Sequence, residues 1–190
     1  MNFKELVIKN RSFRRFDSGK NISNDELLDI VDTARLTPSG GNLQSMRFKV
    51  VNDPEGSEKV FSTLKWAAYL RDWDGPSIEE RPVAYIILLR DNTINSRSTC
   101  DDGIVAQTAA LAAAEKGIGC CMLLNCDSKK LFNLLNIDSE KYTFNIVLAL
   151  GFPAEKVVLE SVKDNNIKYW RDEQGVHHVP KRSLEEVLLP

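Results

Sequence analysis

Seven apolar residues in a row, Val83-Ala84-Tyr85-Ile86-Ile87-Leu88-Leu89, follow directly on Pro82 and constrain this chain more than any other stretch. The run has the length and composition of a β-strand, and it does not alternate with polar residues. A strand that is apolar on both faces must be covered on both faces, which calls for a sheet with helices on either side. The run is far short of the roughly 20 residues needed to span a bilayer. Residues 48–51, 120–124 and 144–150, apolar but for Lys49 and Asn145, supply further strands. At 190 residues the chain can close one full hydrophobic core, so residues 1–190 read as a single α plus β domain.

Helical spacing separates these strands. Phe3, Leu6 and Val7 mark a short first helix. Ser23 with Glu26 forms a capping box before Leu27, Ile30, Val31 and Ala34, and that helix has to stop by Pro38. A helix is expected over residues 58–70, after a turn at Asn52-Asp53-Pro54-Glu55-Gly56. The alanine-rich stretch from Asp101 to Lys116, closed by Gly117, predicts a slim helix suited to close packing at the centre of a domain or dimer. Asp127 caps another helix bearing Leu131, Leu134 and Leu135. Beyond Pro153 the chain turns polar and reads as a tail. A last capping box, Ser183 with Glu186, opens a helix with Leu184, Val187 and Leu188 on one face. Those residues have no evident place in their own core, which suits docking on a second copy.

Two basic clusters stand at opposite ends of the sequence: Arg11-Ser12-Phe13-Arg14-Arg15-Phe16 and Lys181-Arg182. The whole chain carries 25 Lys and Arg against 27 Asp and Glu, a net charge of −2, so both clusters are local features. That balance argues against a nucleic-acid surface. Either the clusters are separate solvated patches, or they grip one anionic group such as a phosphate from two sides, a task suited to the planar donor fork of arginine. Between them lies Pro38-Ser39-Gly40-Gly41-Asn42-Leu43-Gln44, small, polar and rich in amides. It is either a plain linker or a place where backbone approaches a flat ligand closely. Loop 69–81, with Tyr69 and Trp73, either shapes specificity or simply packs on the core.

No independent catalytic apparatus stands out. The only histidines are His177 and His178, and no nucleophile elbow, phosphate-binding glycine loop or zinc-protease pair is present. Cys100, Cys120, Cys121 and Cys126 lack zinc-type spacing and read as reduced thiols, with no metal expected. The first residues lack the apolar core and cleavage site of a signal peptide, so the expected location is the cytoplasm. A candidate phosphate grip without acid–base machinery suggests that a cofactor supplies the reactivity.

The sequence Arg11-Ser12-Phe13-Arg14-Arg15-Phe16, followed by Thr37-Pro38-Ser39-Gly40-Gly41-Asn42-Leu43-Gln44, resembles the paired signature of the nitroreductase family of FMN flavoproteins. The resemblance continues through Asp102-Gly103-Ile104-Val105-Ala106-Gln107, Glu115-Lys116-Gly117-Ile118-Gly119, Leu150-Gly151-Phe152-Pro153 and residues 169–188. It implies an α+β fold with a mainly antiparallel central sheet flanked by helices. It also implies an interlocked homodimer with FMN at the subunit interface and a tail (about residues 157–190) docked on the partner. By motif position, Arg11, Ser12 and Arg14 hold the FMN phosphate, and Lys181, Arg182 or both reach it from the tail. Pro38, Ser39, Gly40, Asn42 and Gln44 line the flavin, partly from the other subunit. Leu124 and Asn125 fall beside the flavin N5 edge, and Lys65 with Trp66 borders its pyrimidine end.

Three departures from the family pattern stand out: Asn10 replaces a basic residue, Ser45-Met46 replaces Pro-Trp, and Leu124-Asn125 replaces a smaller pair containing glycine. They bear on the electron acceptor more than on the cofactor. The implied activity is an FMN oxidoreductase in which flavin N5 takes a hydride from NADH or NADPH. Electrons then pass to a nitroaromatic, a quinone or a similar small molecule by a ping-pong mechanism, with no catalytic side chain. A flavin-binding protein without turnover, serving as a store or redox sensor, is the alternative. Neither nucleic acid nor membrane is an expected partner.

Overall fold

The run at residues 83–89 lies at the heart of the molecule. In the computed structural model, which describes residues 1–70, 72–97 and 100–189, it falls in strand β2 (Ala84–Asp91). Strand β2 pairs antiparallel with β1 (Met46–Val51) on one side and β4 (Tyr142–Gly151) on the other, and β3 (Gly119–Leu123) completes the sheet beside β4. The order is β1-β2-β4-β3, antiparallel throughout, with a register shift between Leu88 and Leu89.

Because successive strand residues face opposite ways, β2 feeds two cores. Ala84, Ile86 and Leu88 join Leu148 and Leu150 under helices α2 (Asn24–Arg35) and α4 (Asp101–Glu115). Tyr85, Ile87 and Leu89 join Val147 and Ala149 under α3 (Pro54–Phe61) and α5 (Ser128–Leu135). The expected two-sided cover is therefore present, one helix pair on each face. The alanines of α4 allow it to lie against α1 (Phe3–Lys9), α2, β3 and β4. Its end is set by Gly117 at φ +79°, a conformation that disfavours a side chain, with the Ile118 N–H donating to the Ala113 carbonyl at 2.9 Å. The Ser23 capping box forms as the sequence predicts.

Two elements differ from expectation. The helix expected over residues 58–70 instead spans Pro54–Phe61. Asn52-Asp53-Pro54 reads as a turn, yet the Asp53 carboxylate accepts from the Gly56 N–H and Pro54 takes the first helical position, where its missing N–H costs nothing. The chain leaves the helix after Phe61 because Leu64 bridges to Cys126 and the Lys65 N–H donates to the Asn125 carbonyl at 3.0 Å. The polar tail is the second difference. Residues 157–181 form a small sheet of β5 (Val157–Ser161), β6 (Trp170–Arg171) and β7 (His177–Lys181), in the order β5-β7-β6 with β5 and β7 parallel. The final helix α6 (Leu184–Val187) has the predicted capping box, and Leu184, Val187, Leu188 and Leu189 are all exposed. Arg71, in loop 69–81, and Pro190, at the end of the expected docking tail, lie outside the described residues. No helix among the described residues is long and apolar enough to cross a membrane.

Candidate functional site

The two basic clusters meet. Arg11, Ser12 and Arg14 line a cleft of about 340 Å³ together with His177, Val179 and Lys181. Strand alternation explains the second set: His177, Val179 and Lys181 are every other residue of β7 and share one face. Arg182, one step on, takes another direction, donating to Asn165 Oδ1 and pairing with Glu186, each at 3.2 Å. Of the two tail cations, the cleft therefore receives Lys181.

Glu155 holds the first cluster in place. Its carboxylate is almost fully enclosed and accepts from the backbone N–H groups of Arg14 and Arg15, while its other oxygen takes Arg171 at 2.9 Å. The Arg14 side chain then lies over the Tyr169 ring, 4.6 Å from its centre, with Nη1 3.2 Å from His177 Nε2 and 3.3 Å from the Ser12 carbonyl, and its Nε is buried without a partner among the described residues. The cleft thus presents guanidinium and ammonium donors, backed by an aromatic wall. Its chemistry is that of an anion site. Burial lowers the Arg11 pKa, but from a value so high that the side chain stays cationic.

His177 is buried and its imidazole pKa is held down to about 4, first by burial and then by the nearby Arg14 charge. The unfolded chain takes up this proton near pH 6.5, so stability is full above that value and declines as pH falls toward about 4. His178 has the opposite sign, raised first by Asp172 and then by Glu160, so its contribution is present at low pH and fades as pH rises past its raised value. The urea midpoint of the wild-type protein should therefore fall more steeply between pH 6.5 and 4.5 than that of His177→Gln. Parallel slopes would contradict this assignment.

Loop 38–44 gathers elsewhere. Ser39 and Gln44 line a second cleft of about 280 Å³, next to Met46, Arg47 and the first turn of α4, and among the described residues none lines both clefts. The stretch that reads either as a plain linker or as a close approach to a flat ligand is a tight turn, with Gly41, Asn42 and Gln44 all at φ between +52° and +58°. Asp101 secures it. This buried carboxylate accepts from Ser39 Oγ at 2.7 Å and from the Gly40 N–H at 3.1 Å, and Ser39 Oγ in turn accepts from the Gln44 N–H at 2.9 Å. Pro38, Gly40 and Asn42 are exposed on this turn. In the sequence, Asp101 reads only as the start of a helix. Its role depends on a contact 62 residues away, which local pattern does not reveal. Asp101→Ala, which removes the acceptor from both donors, should cost about 1–3 kcal/mol in urea unfolding and speed proteolysis within the turn. Unchanged stability would remove Asp101 from this account.

The remaining predicted residues form a third neighbourhood. Lys65 and Trp66 line a hollow with Trp73, while the exposed Leu124 and Asn125 meet this strip through the Lys65–Asn125 backbone hydrogen bond. Loop 69–81 is tied to the tail sheet: Tyr69 and Tyr169 have ring centres 5.0 Å apart, and Arg171 lies over the Trp73 ring at 4.4 Å. One chain thus brings together Arg11, Ser12, Arg14 and Lys181. It holds Ser39 and Gln44 in a different cleft, and Lys65, Leu124 and Asn125 along a different edge. Sequence reading missed Glu155, Asp101, Tyr169 and His177, each of which acts through long-range contacts.

Known proteins resemble this chain in sequence and fold. The chain is 24% identical to the putative NAD(P)H nitroreductase YdgI of Bacillus subtilis (strain 168), over 81% of this chain and 90% of that one. It is 28% identical to the iodotyrosine deiodinase of Thermotoga neapolitana, over 78% of this chain and 87% of that one. A putative nitroreductase from Desulfovibrio desulfuricans, solved in complex with FMN, superposes with a TM-score of 0.71 at 22% identity, over 100% of this chain and 97% of that one. The family model of the nitroreductases matches residues 7–152, more than half of the sequence, and the chain belongs to the nitroreductase family.

Proposed function

We propose that this protein is an FMN-dependent oxidoreductase. The observation that carries the reading is the meeting of Arg11, Ser12, Arg14 and Lys181, from opposite ends of a mildly acidic chain, in one cleft. The residues present fit the cofactor. The cleft concentrates positive charge, and the buried Nε of Arg14, unpartnered among the described residues, is a donor in want of an acceptor. Arg11, Ser12, Arg14 and Lys181 hold the phosphate end, while Arg182 is engaged with Asn165 and Glu186. Pro38, Ser39, Gly40, Asn42 and Gln44 line the ring system from a second subunit, and Lys65, Leu124 and Asn125 border its far edge. A homodimer unites these groups, with the tail at about residues 157–190 contributing to the contact through the exposed apolar residues of its last turn.

FMN, when bound, would supply the redox chemistry: hydride acceptance from NADH or NADPH and ping-pong delivery of the electrons to a nitroaromatic, quinone or similar acceptor. The chain's own residues bind and orient. Cations at the phosphate anchor one end, the Asp101-braced turn offers backbone and amide donors to the ring, and the lysine at residue 65 places positive charge at the far edge. The exposed Leu124 side chain narrows one approach to the ring. No side chain is required as a nucleophile or proton donor, in keeping with the absence of such a set in the sequence.

Anaerobic addition of NADH, then NADPH, to the flavin-loaded protein tests this reading. Bleaching of the visible bands, followed by their return when a quinone is added, is the expected result. Bands that persist with both nucleotides would favour a flavin store or sensor.

A further inference from the structure

His177 is enclosed, neutral and unused by the reading above, yet it faces the cleft from the same side of β7 as Lys181. Its backbone N–H donates to the Lys156 carbonyl at 2.8 Å, and β7 pairs in register with β5 at this point, so the ring has a fixed origin. Tyr169 packs on one side, ring centres 5.2 Å apart, and the Arg14 guanidinium meets Nε2 at 3.2 Å. An arginine has only donors, so Nε2 must accept and the ring proton must reside on Nδ1. Nδ1 is itself buried with no partner among the described residues. A ring that leaves one nitrogen unsatisfied is retained at a cost, and such groups in a folded protein call for an explanation.

We propose that His177 is a positioning residue, whose Nε2 fixes the Arg14 guanidinium for the phosphate of the bound nucleotide. This inference rests on the FMN reading above. Arg14 has four sources of restraint: the backbone hydrogen bond to Glu155, the Tyr169 face, and two acceptors for Nη1, the Ser12 carbonyl at 3.3 Å and His177 Nε2 at 3.2 Å. The last two act on the donor atoms themselves; the carbonyl belongs to the same local chain, and His177 alone reaches Nη1 from the tail sheet. A carboxylate in its place would neutralise the charge that the phosphate needs. A neutral imidazole orients the guanidinium and leaves its charge available.

The phosphate dependence of binding is the readout, because a general loss of structure would weaken FMN and riboflavin alike. In titrations of flavin-free protein, the wild type should prefer FMN to riboflavin by about 100-fold or more. His177→Gln places an amide oxygen as far out as Nε2 and should keep that ratio within about threefold, whereas His177→Asn, reaching only as far as Nδ1, should lower it about tenfold with riboflavin binding unchanged. An unchanged ratio in His177→Asn would overturn the proposal. Equal wild-type affinity for the two flavins would instead overturn the phosphate assignment beneath it. If either variant fails to fold, the wild-type protein decides through ¹⁵N NMR of its histidine rings: protonation at Nδ1 supports the proposal, and protonation at Nε2 refutes it.

Discussion

Arg14→Ala should purify as a folded protein that has lost its flavin. The fold survives because Glu155 is held by the backbone N–H groups of Arg14 and Arg15 and by Arg171, none of which the substitution removes. What disappears is a charged fork between Tyr169 and His177 at the wall of the cleft. A paired, charge-assisted contact to phosphate is worth about 3 kcal/mol, so FMN affinity should fall by about 100-fold or more. Arg14→Lys should recover only part of this loss, since a point charge cannot offer two parallel donors. Thermal stability should change little. Flavin absorbance per chain after gel filtration reads the result, and full occupancy in Arg14→Ala would refute the phosphate assignment.

Phe16→Ala should act through stability. Phe16 is fully buried, its N–H donates to the Glu80 carbonyl at 2.9 Å, and it bridges to Pro153. Its ring lies so close to Gly151 that a Cβ there would come within 2.8 Å of it. The glycine of Leu150-Gly151-Phe152-Pro153 thus makes room for the last aromatic residue of the basic cluster. Deleting that ring leaves a cavity the surrounding sheet cannot close, at a cost of about 3–5 kcal/mol. For a chain of this size, that lowers the melting temperature by about 10 °C. Flavin affinity should fall as well, because the residues anchoring Arg14 loosen. A loss below about 1 kcal/mol in urea unfolding would show that Phe16 does not secure the cluster.

These effects trace what the sequence makes legible. The run at residues 83–89 has no polar face, and the structure covers both its faces. The Ser23–Glu26 box and the Gly117 stop are local patterns, and they appear where the sequence places them. The convergence of Arg11 and Arg14 with Lys181 is one of the two readings the clusters allow, and the choice of Lys181 over Arg182 appears only in the alternation of β7. Elements set by distant contacts were not. Pro54 opens a helix because Asp53 caps it, and the helix then ends early because residues 64–65 pair with residues 125–126. Strands β5, β6 and β7 are short and half polar, and a parallel pairing between residues 157–161 and 177–181 leaves no periodic trace in the sequence. Asp101, Glu155 and His177 belong to the same class, since each acts on a residue more than 60 positions away.

The central claim is that the cleft between Arg11, Arg14 and Lys181 receives the phosphate of FMN. Its most direct test is the visible absorption spectrum of the purified protein, with FMN titrated into any flavin-free fraction. The account predicts oxidised-flavin bands, or their appearance on titration to one FMN per chain. A protein that stays colourless and takes up no FMN would contradict it.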